Sequence, residues 1–96
     1  MNREEALRNR DRIVAYAKQL EVEIKWAAVN AYDSPYVEFD DYQVLYTQYY
    51  EHHEHHDRMY LLQWEFGKLL NKGVVTQEDI YKLLRQLAKR AAGGAQ

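Results

Sequence analysis

Ile13, Ala17, Leu20, Ile24, Ala27 and Ala31 recur at alternating spacings of four and three residues, and the run ends at Asp33-Ser34-Pro35. That period puts small and aliphatic side chains on one stripe of an α-helix, which must find a neighbour to bury against. The residue before a proline avoids the helical region, so the Asp-Ser-Pro segment is a stop. The seam therefore predicts a first helix over about residues 3–31, and the rest of the chain has to supply its partner.

Two further helical segments are readable downstream. Asp40-Asp41-Tyr42-Gln43 has the form of a capping box, with Asp40 as N-cap, Gln43 at N3 and Phe39 and Val44 placed as a hydrophobic staple. A pattern through Leu45, Tyr49, His52, His56, Met59, Gln63, Phe66 and Leu70 continues it, and Asn71-Lys72-Gly73 stops it. Thr76, with Asp79 three residues on and Val75 and Ile80 as a second staple, opens a third segment carrying Ile80, Leu84, Leu87 and Ala91. The expected architecture is an all-α single domain. Helix 1 covers about 3–31, helix 2 about 40–72, helix 3 about 77–91, and 92–96 form a flexible tail. These helices form an antiparallel three-helix arrangement, two long and one short.

The stretch LLQWEFGKLLNKGVVTQEDIYKLLRQL, Leu61 to Leu87, resembles the short C-terminal (SHOCT-like) helical hairpin found at the ends of many bacterial proteins. The shared part is a leucine-bearing helix, then Gly-x-[Val/Ile]-Thr, an acidic first turn and another amphipathic helix. The resemblance covers under a third of the chain, and it implies an oligomerisation or docking element.

Charge and aromatic content point to what such a bundle leaves uncovered. Residues 33–57 hold Asp33, Glu38, Asp40, Asp41, Glu51, Glu54 and Asp57 and neither lysine nor arginine, while residues 58–96 are net basic. The short third helix covers only roughly 22 Å of the second. The remaining two-helix hairpin would carry more rings than two helices can bury. This segment, Trp26, Tyr32, Tyr36, Phe39, Asp40, Asp41, Tyr42, Tyr46, Tyr49, Tyr50 and His53, is the expected partner-binding surface. Its acidity favours a protein partner with a basic surface, and a second copy is expected to complete the bundle as a homodimer.

The histidines in YYEHHEHHDRMY, residues 49–60, raise a second possibility. On a helix His52 and His56 lie one turn apart, a valid half of a zinc site, whereas His53 shares a stripe with Tyr46, Tyr60 and Trp64. The metalloprotease pattern is missing, because Asp57 stands where its second histidine would fall. No cofactor is expected, with zinc at His52 and His56 as the exception. Histidines in an interface would also titrate near neutral pH.

Other chemistries find little foothold. The one serine, Ser34, sits in a turn beside proline, and there is no Gly-rich phosphate loop. With no cysteine, disulfide and thiol chemistry are excluded. Lys82, Arg85, Lys89 and Arg90 gather on helix 3, yet a pI near 6.1 argues against nucleic acid. The charged N-terminus, and the lack of any apolar run of about 20 residues, point away from a signal peptide and a membrane span. The expectation is a non-enzymatic cytoplasmic binding module. It resembles in size and surface the small regulators or inhibitors encoded by phages, which would work in the host cytoplasm. The alternative is a structural component of a phage or bacterial assembly.

Overall fold

A computed structural model describes the backbone of residues 2–39, 43–51, 54–56, 58–65 and 68–94, and the side chains of these except 49–51, 54–56, 64–65, 69–72 and 94. It overturns the all-α expectation. Among the described residues, helix α1 (Arg3–Gln19) and helix α2 (Gln77–Gly94) bracket seven strands. These are β1 (Trp26–Val29), β2 (Pro35–Glu38), β3 (Gln43–Tyr46), β4 (Tyr49–Glu51), β5 (Glu54–His56), β6 (Met59–Glu65) and β7 (Lys68–Val75). Strands β1-β2-β3-β6-β7 form one antiparallel sheet in that order, and β4 pairs with β5 in a separate two-stranded ribbon. The molecule is an α+β protein, not a helical bundle. The long second helix expected over 40–72 is replaced by β3 to β7.

The first helix stops early, for a reason visible in its hydrogen bonds. Glu21 takes a left-handed conformation, φ 58°. Its amide donates to the Lys18 carbonyl at 3.1 Å and the Val22 amide donates to the Ala17 carbonyl at 2.8 Å. That pair is a Schellman closure, normally built on glycine, and it turns the chain out of the helix into β1. At the other end the Asn2 side chain accepts from the Glu5 amide at 2.9 Å, with Glu4 and Glu5 favourably placed in the first turn. Helix α2 opens on the Thr76 box. The Thr76 amide donates to Asp79 Oδ2 at 2.9 Å and the Asp79 amide donates to Thr76 Oγ1 at 3.1 Å.

Strand register explains why the middle of the chain prefers a sheet. Ala27, Val37, Leu45, Leu61 and Gly73 are successive cross-strand partners, and alternate residues point to opposite faces. On one face Val37, Phe39, Leu45 and Met59 join Ile13 and Ala17 of α1 and Ile80 and Leu84 of α2 in the buried core. Both helices therefore lie on the same side of the sheet. The seam residues Ile13 and Ala17 bury against strands and against α2 rather than against a second long helix. Phe39, expected beside Val44 as a staple, is buried in this core, while Val44 alternates to the other face. Gly73, expected as a helix stop, lies within β7 opposite Leu61.

Polar contacts tie α1 onto the sheet. Thr47 Oγ1, fully buried, donates to the Ala6 carbonyl at 2.8 Å. Arg10 Nη1 donates to the Ala28 carbonyl on β1 at 3.0 Å. At the helix–helix contact Tyr16 and Tyr81 meet edge to face with ring centroids 4.6 Å apart, and Arg85 Nη1 donates to the Tyr16 hydroxyl at 3.2 Å.

Candidate functional site

The face of the sheet turned away from the helices carries the candidate site. Tyr36 on β2 pairs with Tyr46 on β3, and Tyr46 pairs with Tyr60 on β6. Three tyrosines thus stand side by side on adjacent strands, with Ala28 at one end of the row and Val74 at the other. The Tyr36 and Tyr46 rings are 5.7 Å apart between centroids and tilted by 39°. The neighbouring row runs Trp26, Glu38, Val44, Leu62 and Lys72. Trp26 and Val74 are largely exposed, the three tyrosines are half-buried, and Leu62 is buried at the centre of its row.

The β1–β2 turn holds one end of the tyrosine row in place. Asn30 Oδ1 accepts from the Tyr32 and Ser34 amides, both at 2.9 Å, while Asp33 sits in the left-handed region at φ 66°. The Asn30 side chain also hydrogen-bonds the Tyr46 hydroxyl. Burial pushes the Tyr46 phenol above its ordinary value; the Asn30 bond opposes this, and neighbouring Tyr36 and Glu38 add to the rise. Tyr46 is therefore a neutral hydrogen-bonding group at physiological pH, not a nucleophile or base.

The expected partner-binding residues separate in space. Trp26, Tyr36 and Tyr46 come together on the face turned away from the helices. Tyr32 is exposed at the tip of the β1–β2 turn, 75% accessible, and Phe39 is buried against the helices. Tyr49 and Tyr50 lie in β4, across from His56 and His55 of β5. Asp40, Asp41, Tyr42, His52 and His53 fall outside the described residues. His56 lies in β5, Tyr46 in β3 and Tyr60 in β6, so the helical stripes expected through these three residues do not form. Tyr46 and Tyr60 do meet, as cross-strand neighbours. Among the described residues no three histidine or acidic groups gather as a metal site, and no helix is long and apolar enough to cross a membrane.

Tyr60, Val44, Leu62 and Val74 belong to this face and were not among the expected partner-binding residues. Tyr60-Leu61-Leu62 is apolar throughout, so only the strand register shows that Leu61 faces the core and its two neighbours the other side. No protein-family model, curated protein or solved structure matches the chain.

Proposed function

We propose that this protein is a non-enzymatic binding module that docks a basic protein surface through the face of its sheet turned away from the helices. It would regulate that partner by occupying the surface it covers. The observation that carries the reading is the Tyr36–Tyr46–Tyr60 row beside Trp26 and Glu38, on the face opposite both helices. Tyrosine and tryptophan are enriched at interfaces because each offers a large rigid ring with a polar tip. The acidic bias of residues 33–57 runs through β2 and the β4–β5 ribbon, which favours a basic partner and faster encounter with it.

Site-specific photo-crosslinking tests the reading. A photoreactive phenylalanine placed at Tyr36 should cross-link a partner in the native cell extract. The same group at Lys89, on exposed helix α2, should not. Cross-linking from Lys89 with none from Tyr36 would overturn it.

A further inference from the structure

The five-stranded sheet ends in β1 on one side and β7 on the other, and the two edges differ in kind. β7 carries Lys68 and Lys72 and a register shift against β6 at Gln63 and Trp64. Lysines and bulges keep an edge strand from pairing with another chain. β1 is Trp26-Ala27-Ala28-Val29, with neither a charge nor a proline. We propose that β1 pairs antiparallel with β1 of a second copy, with Ala28 at the two-fold axis, and joins two sheets into one.

The hydrogen-bond ladder shows which groups are open at this edge. The Thr47 amide donates to the Pro35 carbonyl and the Phe39 amide to the Gln43 carbonyl, so the odd-numbered residues of β2 bond to β3. Its even-numbered residues then bond to β1, where Tyr36 and Glu38 stand opposite Ala28 and Trp26. The Asn30 amide donating to the Ser34 carbonyl continues the same alternation. The amides and carbonyls of Ala27 and Val29 therefore point away from the sheet. Among the described residues no turn, loop or cap hydrogen bond reaches them, and Ala27 is exposed.

One register satisfies all of these groups. Placing Ala27 opposite Val29 of the second copy, and Val29 opposite its Ala27, pairs every open amide with an open carbonyl. Ala28 then faces its own counterpart across the axis. A register centred on Ala27 would call on the Lys25 amide, which already donates to the Glu38 carbonyl. One centred on Val29 would run into the β1–β2 turn.

Exposure gives an independent reason for a second copy. Trp26 is 59% exposed and Tyr32 75%, one at the start of β1 and the other beyond its end. In the Ala28-centred register Trp26 lies opposite Asn30 of the second copy, two residues from its Tyr32. The two-fold thus draws the exposed rings of opposite strand ends together on both sides of the axis. A strand from another protein would have to bring rings of its own at the same spacing. The pairing does not depend on the docking reading, but it extends that face. Ala28 ends the tyrosine row, so the rows of the two copies become continuous through the Ala28 pair.

Sedimentation of the full-length chain tests the pairing. It should show a concentration-dependent dimer and no higher species, because β7 stays protected. Ala28→Glu and Ala28→Lys each set like charges across the axis and should weaken the dimer at least about tenfold. Mixed in equal amounts they should restore it, a rescue that no folding defect can produce. Trp26→Ala should weaken it about tenfold as well. Amide hydrogen exchange on the unsubstituted protein needs no variant to fold. The Ala27 and Val29 amides should slow at least about tenfold from dilute to concentrated samples, while the Ala28 amide stays constant. A protein still monomeric at roughly 1 mM, a dimer indifferent to both Ala28 charges, or no rescue between folded variants would each overturn the proposal. Exchange at Ala27 and Val29 that ignores concentration but slows in cell extract would assign the edge to a strand of another protein, and overturns it too. None of these outcomes alters the Tyr36 cross-linking test, so the docking reading stands or falls separately.

Discussion

Truncating Leu45 to alanine should cost about 3–4 kcal/mol of stability, whereas truncating its neighbour Val44 should cost less than about 1 kcal/mol. Leu45 is fully buried in the central strand, with Val37 and Leu61 as cross-strand partners and Ile13, Ile80 and Leu84 of the two helices in the same cluster. The substitution removes three carbons, worth about 2.4 kcal/mol in transfer from water. The cavity adds to that, because residues held by two helices and two strands cannot collapse freely into the gap. A domain of this length holds roughly 5–14 kcal/mol in total, so Leu45→Ala should fold and yet unfold at markedly lower denaturant. Val44 points to the opposite, half-exposed face. Urea unfolding followed by circular dichroism measures both variants, with unchanged slopes confirming that only stability moved. Equal losses at the two positions would refute the alternation on which the two faces rest.

Other consequences concern the helix ends and two titrating groups. Glu21→Gly should stabilise the protein by about 0.5–1 kcal/mol, since glycine removes the left-handed strain of φ 58° at some entropic cost; a lower melting temperature would contradict the Schellman closure. Asp79 is held below the ordinary aspartate value, first by the Thr76 backbone amide and then by the Thr76 side chain. Its contribution to stability is thus present above about pH 3.9 and lost as pH falls through the folded value. An NMR titration of Asp79 with a midpoint at or above 3.9 would count against the cap. Tyr46, pushed upward chiefly by burial, favours the fold below about pH 10 and loses that contribution as pH rises through its folded value. Absorbance titration of the protein against a Tyr46→Phe variant should show this phenol ionising above the ordinary tyrosine value of about 10.

The parts of the fold legible in the sequence are those with strong local grammar. Thr76 and Asp79 announce α2, and the apolar residues Ile13, Ala17, Ile80 and Leu84, which sit at helical spacing, are core residues in the structure. The end of α1 was hidden because glutamate, not glycine, occupies the left-handed position at 21, while Leu20, Ile24 and Ala27 extend the helical period past it by coincidence. The strands were hidden by composition. Leu61, Leu62, Gln63 and the histidines are tolerated in helices, and β preference emerges only when a side chain packs against neighbours on a pleated surface. Tyr36-Val37-Glu38-Phe39 and Val44-Leu45-Tyr46 alternate cleanly between faces, but the first is a run of four in the expected interhelix connection and the second is too short to outweigh a long apparent helical stripe. Trp26, Tyr36 and Tyr46, singled out by aromatic richness, share one face of the sheet. Their juxtaposition with Tyr60 depended on pairing between β3 and β6, which no local pattern encodes.

The tyrosine row unites the fold and the proposed site, and backbone NMR tests it most directly. Cross-strand nuclear Overhauser contacts should link Tyr46 to both Tyr36 and Tyr60, with extended-strand couplings through 43–46 and 59–65. Sequential contacts of the i to i+3 type through those segments, with no Tyr46–Tyr60 contact, would restore a helix there and remove both the sheet and the face.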